Sequence, residues 1–191
     1  ENRYVIDFGN EMIGNVSVQL LCLTSQKWSV GYGEELNSDG SVKSEMRTGN
    51  IYRETWNLTP GYQEMSTINM KAFRYMEISG CIEKLSIGNI TGWQVRQKTE
   101  NQELQFSSDN SILNDEYNLA KRTIENTSQD MYVDTQSRER QNYAGDTFIN
   151  MMTATSMNSN YSLSAHSIEY ALNNPTWPSE YMLYKVQAAW K

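Results

Sequence analysis

The stretch Asp134-Thr135-Gln136-Ser137-Arg138-Glu139-Arg140-Gln141-Asn142-Tyr143-Ala144-Gly145-Asp146 holds three carboxylates, two guanidinium groups and one aromatic ring. It follows the apolar period of neither helix nor strand, so packing does not account for it. Directly after it, Thr147-Phe148-Ile149-Asn150-Met151-Met152 opens a helical pattern, and the window reads as a loop entering a helix. Loops carried by rigid elements are where binding and catalytic groups concentrate. If Asp134, Glu139 and Asp146 converge, they cannot all ionise cheaply, because each negative charge disfavours the next. One of them then keeps its proton toward neutral pH, the state in which a general acid can protonate a leaving oxygen. Such a donor is expected in a sheltered, concave place, with the other two acids aimed at the same small volume. Composition alone leaves a second reading open: three acids on a solvated loop, with Arg138 and Arg140 as surface partners of small energetic weight.

Working outward, the helical texture extends to both sides of the loop. Ser107-Ser108-Asp109-Asn110 offers N-cap side chains, and Leu113, Tyr117, Ala120 and Ile124 recur on one face, which predicts an amphipathic helix ending near Asn126-Thr127-Ser128. Two more helices are predicted over 148–158 and 161–173. The break Asn174-Pro175-Thr176-Trp177-Pro178 then precedes a last helix with Tyr181, Tyr184, Ala188 and Trp190 on one face. Trp177 reads either as a packed helix junction or as the lining of a sugar site. His166, the single histidine, lies within a helical run and has no nucleophile motif to serve.

Residues 4 to about 97 read as β. Tyr4, Ile6 and Phe8 alternate until Gly9-Asn10 breaks the run, and Val16, Val18 and Leu20 resume it. Trp28, Val30 and Tyr32 repeat the pattern. Asn37-Ser38-Asp39-Gly40 has the chemistry of a turn. Tyr52, Glu54 and Trp56 lead to a stop at Pro60-Gly61, and Phe73, Tyr75 and Glu77 to a stop at Gly80. Leu85, Ile87, Trp93 and Val95 follow. Many short strands at such spacing predict a sandwich of antiparallel sheets. The polar stretch from Arg96 to Glu103 marks the change of texture. The organisation expected is a β-sandwich domain over 1–97, a linker over 98–107 and a helical domain over 108–191.

A formal net charge of −7 and a pI near 4.8 argue against nucleic acid or an anionic membrane surface as partner. No apolar run approaches the roughly 20 residues of a membrane span. Glu1-Asn2-Arg3-Tyr4 leads straight into a strand pattern, without the regions of a leader peptide. Cys22 and Cys81 both fall in β-like runs, which suits buried thiols and gives no metal-ligand spacing. Periplasmic, extracellular and cytoplasmic placements are all open.

Asp134, Arg138-Glu139-Arg140, Tyr143 and Gly145-Asp146 together resemble the signature of the bacterial α-L-rhamnosidases, glycoside hydrolase family 78. The commoner pattern of that family has Cys-Pro after the first Asp and Trp at the aromatic position. This chain has Thr135-Gln136 and Tyr143 there, and keeps the carboxylate spacing. Asp7-Phe8-Gly9, Tyr32-Gly33-Glu34-Glu35-Leu36 with Asp39-Gly40, and Phe73-Arg74-Tyr75-Met76-Glu77-Ile78 resemble landmarks of the sandwich that precedes the family's catalytic domain. The resemblance implies an antiparallel β-sandwich followed by the first helices of an (α/α)6 barrel, left incomplete. It implies an enzyme that removes terminal α-L-rhamnose from oligosaccharides or glycosides with inversion; the sequence calls for no cofactor and assigns no residue to a metal, leaving a bound calcium ion open. Glu139 would be the general acid, and Asp134, Arg138, Tyr143 and Asp146 would bind the sugar. Inversion requires a second carboxyl roughly 6.5–9.5 Å from the acid to activate water. In the family that base is a Glu farther along than Lys191, so the chain is expected to be a fragment with the acid half of the site, inactive alone and prone to self-association through the unfinished barrel. A non-catalytic carbohydrate-binding or structural module, and another helical-barrel glycosidase, are the alternatives.

Overall fold

The alternation along residues 4–20 builds one strand where two were expected. The computed structural model describes residues 2–80, 87–98, 104–175 and 178–190. Cys81, Leu85, residues 99–103 and Trp177, all read above from the sequence, lie outside the described residues. Strand β1 (Asn2–Cys22) continues through Gly9-Asn10, because what lies there is a bulge and not a turn. Gly9 takes a positive φ of 83°, and the register of β1 against β5 (Lys71–Gly80) shifts between Asp7 and Met12. The Gly9 N–H donates to Asp7 Oδ1 at 2.8 Å. Arg74 donates to both oxygens of the same carboxylate, from Nε and Nη2, at 2.8 Å each. These bonds hold the Asp7 carboxyl down at about 2, the Arg74 pairing contributing most. A bulge bends its strand and tightens the local twist; here β1 stays paired with β5 on both sides of it, through Asp7 before and from Met12 to Gly14 after.

From Asn2 to Gly14, across the bulge, β1 pairs with β5, which pairs with β2 (Gln26–Gly33), which pairs with β3 (Arg53–Leu58). The second half of β1 pairs with β4 (Gly61–Ser66) and β6 (Ile90–Gln94). All pairings are antiparallel, so β1 stitches the two layers of the expected sandwich into one six-stranded sheet. Val16, Val18 and Leu20 from the second half of β1 share one core with Val30, Phe73 and Ile78, the period-2 arrangement the alternation called for. Beside that core, the Tyr32 hydroxyl donates to Glu54 Oε1 at 2.9 Å, and Lys71 Nζ reaches Glu54 Oε2 at 3.3 Å. Burial, and after it the Glu54 charge, keeps the Tyr32 phenol protonated well above its ordinary range. The 37–40 turn forms as read, with Gly40 at φ 77° and its N–H on the Asn37 carbonyl at 2.9 Å. β4 was not foreseen: only Met65 of its residues packs on the core.

The chain divides into two compact units, Glu1–Val95 and Arg96–Lys191. The second unit is helical. Helix α1 (Ser111–Thr127) is capped by Asn110, whose side chain accepts from the Ile112 N–H at 3.0 Å. Helices α2 (Ala144–Met157), α3 (Ser162–Asn173) and α4 (Met182–Trp190) follow, the last after a 3-10 turn at Ser179–Tyr181. Leu104 and Phe106, read as linker, pack on the helices: the Leu104 N–H donates to the Met157 carbonyl at 2.7 Å, and Phe106 stacks on Tyr117 at 5.1 Å. The inner face of α4 differs from the reading. Lys185 and Ala188 are buried while Trp190 is exposed, and Lys185 Nζ donates to the Ala171 carbonyl in the last turn of α3, where helix carbonyls lack partners and favour a cation. Among the described residues no helix is long and apolar enough to cross a membrane.

Gly14 supplies a test of the β1–β6 seam. A Cβ at that position would lie 1.8 Å from the Trp93 carbonyl oxygen, a backbone atom that cannot swing aside. Gly14→Ala is expected to destabilise the strand-rich unit by about 1–3 kcal/mol, the usual range for overpacking, read as a lower urea midpoint. An unchanged midpoint would mean that β6 does not lie against β1.

Candidate active site

The acidic loop is held at its entry by a buried strap. Tyr132 and Val133 are 2% and 3% exposed, and backbone polar groups buried to this degree need partners. The Tyr132 N–H donates to Ser167 Oγ at 3.0 Å, and the Val133 N–H to the Thr127 carbonyl at 3.0 Å. The carbonyls of Tyr132 and Val133 accept from the amides of Asn142 and Asn150, each at 3.0 Å. The Tyr132 hydroxyl shares a 3.0 Å hydrogen bond with Ser164 Oγ. Side chains from α2, α3 and the loop's own far end therefore fix the point from which Asp134 departs.

Past the strap the loop closes on itself. The Asp134 N–H donates to the Gln141 carbonyl at 3.1 Å, and the N–H groups of Thr135 and Gln141 donate to the Glu139 carbonyl at 3.4 and 2.8 Å. The Glu139 N–H donates to Thr135 Oγ1 at 3.1 Å, and Arg140 Nε donates to the Gln136 carbonyl at 2.8 Å. This closure brings the Glu139 and Asp134 carboxyls together. Glu139 is held above the ordinary glutamate range by the hydrogen bond it shares with Asp134, then by partial loss of water, against the opposing charge of Arg138. A carboxyl pair sharing a proton is the arrangement in which one member stays a donor.

Of the residues read from the sequence, Asp134 and Glu139 share a side-chain hydrogen bond, and Arg138 lies close enough for its charge to act on Glu139. Glu139 and Arg138 are exposed, in contrast to the sheltered pocket expected; Asp134, Tyr143 and Asp146 are half-buried. Asp146 sits in the first turn of α2, where the helix dipole favours a negative charge. That helix starts four residues before the 148–158 read from the sequence: Tyr143 is its N-cap residue, and its carbonyl accepts from the Thr147 N–H at 2.8 Å. Gly145 has a packing reason that the sequence did not reveal. A Cβ there would meet the Tyr181 ring at 2.8 Å, so glycine lets α2 begin against that ring. His166 is exposed on α3. No group of three or more His, Cys, Asp or Glu gathers to hold a metal among the described residues. Sequence reasoning missed the residues that fix the loop, namely Thr135, Asn142, Asn150, Ser164 and Ser167. Uncharged polar residues follow no period; Asn150, Ser164 and Ser167 gave the signal of polarity within predicted helices, and Thr135 and Asn142, in the loop, gave none.

A strand-rich antiparallel unit followed by packed helices is a β-sandwich joined to the opening of a helical barrel. The chain belongs to the bacterial α-L-rhamnosidase family. The family's concanavalin-like domain matches residues 1–96 and its six-hairpin glycosidase domain matches residues 101–178. Among solved structures, the family 78 rhamnosidase of Bacillus sp. GL1 is 16% identical, with a TM-score of 0.82 over 97% of this chain and 21% of its own. The Streptomyces avermitilis α-L-rhamnosidase complexed with L-rhamnose is 22% identical, with a TM-score of 0.75 over 92% of this chain and 17% of its own. A Klebsiella oxytoca rhamnosidase with rhamnose bound is 15% identical, with a TM-score of 0.65 over 87% of this chain and 35% of its own. No match was found among curated proteins. The chain thus spans between about a sixth and about a third of the length of these solved relatives.

The shared proton has a consequence for stability. A carboxyl whose folded value is raised favours the folded state while protonated, and that contribution is lost as pH rises through its folded value. Glu139→Gln mimics the protonated form. It is expected to leave the melting temperature unchanged in acid, below the ordinary glutamate value of 4.5, and to raise it slightly at neutral pH. A variant less stable than wild type at pH 7 would count against the like-charge pairing.

Proposed function

We propose that this chain is the acid-bearing part of an inverting glycoside hydrolase that removes terminal α-L-rhamnose from oligosaccharides or glycosides. The observation that carries this reading is the Glu139 carboxyl held against Asp134 in the loop that bears the family's signature. Glu139 is the general acid: its raised value keeps a proton available to the departing glycosidic oxygen. Asp134 holds Glu139 protonated and, with Arg138 and Asp146, accepts or donates hydrogen bonds to the sugar hydroxyls. Tyr143, at the N-cap of α2, offers its ring to the apolar face of the pyranose. Rhamnose is the sugar proposed because two of the solved relatives are described with rhamnose bound. The water-activating base is proposed to lie outside residues 1–191, and residues 98–107 to be the junction between the sandwich domain and the barrel.

In the full-length enzyme, Glu139→Gln is expected to lower kcat about 10²- to 10⁴-fold on glycosides with poor leaving groups, and far less on activated aryl rhamnosides, which need no proton. The 191-residue chain assayed beside it should release no measurable rhamnose from either. Equal losses on the two substrate classes would remove Glu139 from the acid role, and turnover by the chain alone would place the base within it.

We propose further that the isolated chain self-associates through its helices. Leu183, Val186 and Trp190 on α4 are 72%, 68% and 89% exposed, more apolar surface than one helix of a monomer ordinarily shows to water. Light scattering should give a mass above 22.0 kDa that falls toward it when Leu183 and Val186 are changed to Lys. A monomer at all concentrations would refute this.

A further inference from the structure

We infer that Thr135 is a positioning residue for the acid: its hydroxyl and its amide clamp the backbone of Glu139 on both sides and so keep the Glu139 carboxyl against Asp134. The inference rests on the reading of Glu139 as the acid, and takes it one residue further. Thr135 Oγ1 accepts from the Glu139 N–H at 3.1 Å, and the Thr135 N–H donates to the Glu139 carbonyl at 3.4 Å. Thr135 directly follows Asp134, so the residue that fixes Glu139 is bonded covalently to the residue Glu139 pairs with. The separation of the two backbone positions from which the carboxyls extend is thereby set locally. A β-branched side chain suits the task, because its χ1 is restricted and its hydroxyl has few places to go.

The remaining ties of the loop do not pass through the Thr135 side chain. The Asp134 N–H to Gln141 carbonyl bond, the Gln141 N–H to Glu139 carbonyl bond and the Arg140 to Gln136 bond all survive loss of the hydroxyl. Valine, which keeps the branched shape and removes the acceptor, should therefore leave the loop folded and free only the Glu139 N–H. Water can satisfy that N–H, but water does not fix where the residue sits. Asp134 and Arg138, the groups acting on the Glu139 carboxyl, are unaltered by the change, so any effect on Glu139 reports its distance from them.

The test follows the Glu139 side-chain carboxyl carbon by NMR through a pH titration of the 191-residue chain. Wild type should titrate above the ordinary 4.5. Thr135→Val should bring the midpoint down toward that value, and Thr135→Ser, which restores the acceptor, should return it to wild type. Asp134→Asn gives the limit expected when the pairing is absent. A Thr135→Val midpoint equal to wild type overturns the inference, as does Thr135→Ser behaving like valine. Loss of the far-UV spectrum in Thr135→Val also overturns it, since the hydroxyl would then hold the fold and not the acid. In the full-length enzyme, Thr135→Val should lower kcat at least tenfold with KM little changed, in line with the cost of misplacing a reacting group, and serine should restore it. If Glu139→Gln proves harmless to activity while the titration results stand, the acid assignment falls and the clamp remains.

Discussion

Two carboxyls of like charge, Asp134 and Glu139, are held together against their repulsion, and the candidate site depends on whatever does the holding. The backbone bonds within residues 134–141 do it locally. A net contribution of about 0.5–1.5 kcal/mol for each such bond is enough, because repulsion at an exposed position is weakened by water and relieved when the pair shares a proton. The loop can close this way only if its ends are fixed, and they are: the Tyr132-Val133 strap is buried under α2 and α3, and Asn142 ties the returning chain to the same strap. Local chemistry at Glu139 is in this sense a product of helix packing.

The strand-rich unit solves a comparable problem by different means. One strand must serve three neighbours, and the bulge at Gly9 lets β1 bend without ending and without leaving β5. The ladder register shifts between Asp7 and Met12, and the chain is held there by the Arg74 grip on Asp7 and by the Gly9 N–H on the same carboxylate. The ion pair is exposed, and such pairs contribute little to stability in general. Its bidentate geometry serves to fix a direction, that of β1 after the bulge, from which Val16, Val18 and Leu20 enter the core.

Much of this was legible in the sequence because it is periodic or compositional. Alternation located β2, β3 and β5, and the Asn-Ser-Asp-Gly turn announced itself by residue type. The i, i+4, i+7 pattern with Asn110 before it gave α1 and its cap. The acidic loop stood out because no period explained it, and its resemblance to the rhamnosidase signature pointed to the fold now observed. What stayed hidden has a physical pattern of its own. β4 turns mainly polar residues outward and a single methionine inward, too little contrast to register. The Gly9-Asn10 break looks the same in sequence whether it makes a turn or a bulge, since both need a positive φ. The buried face of α4 includes Lys185, which polarity assigned to water and the end of α3 drew inside. Thr135 aside, whose partner is four residues on, the loop's supports are serines and asparagines whose partners lie ten to thirty-five residues away, a separation that no local window sees.

The strap at Tyr132 has an implication for how this family's barrel can be engineered. Ser164 and Ser167 lie on the inner side of α3, and each carries a hydroxyl to the strap on which the acidic loop is hung. A library restricted to residues 134–146 would leave them untouched. Small changes at these two serines act on the strap and not on the loop, making α3 a remote handle on where Asp134 departs while every residue of the loop keeps its native side chain.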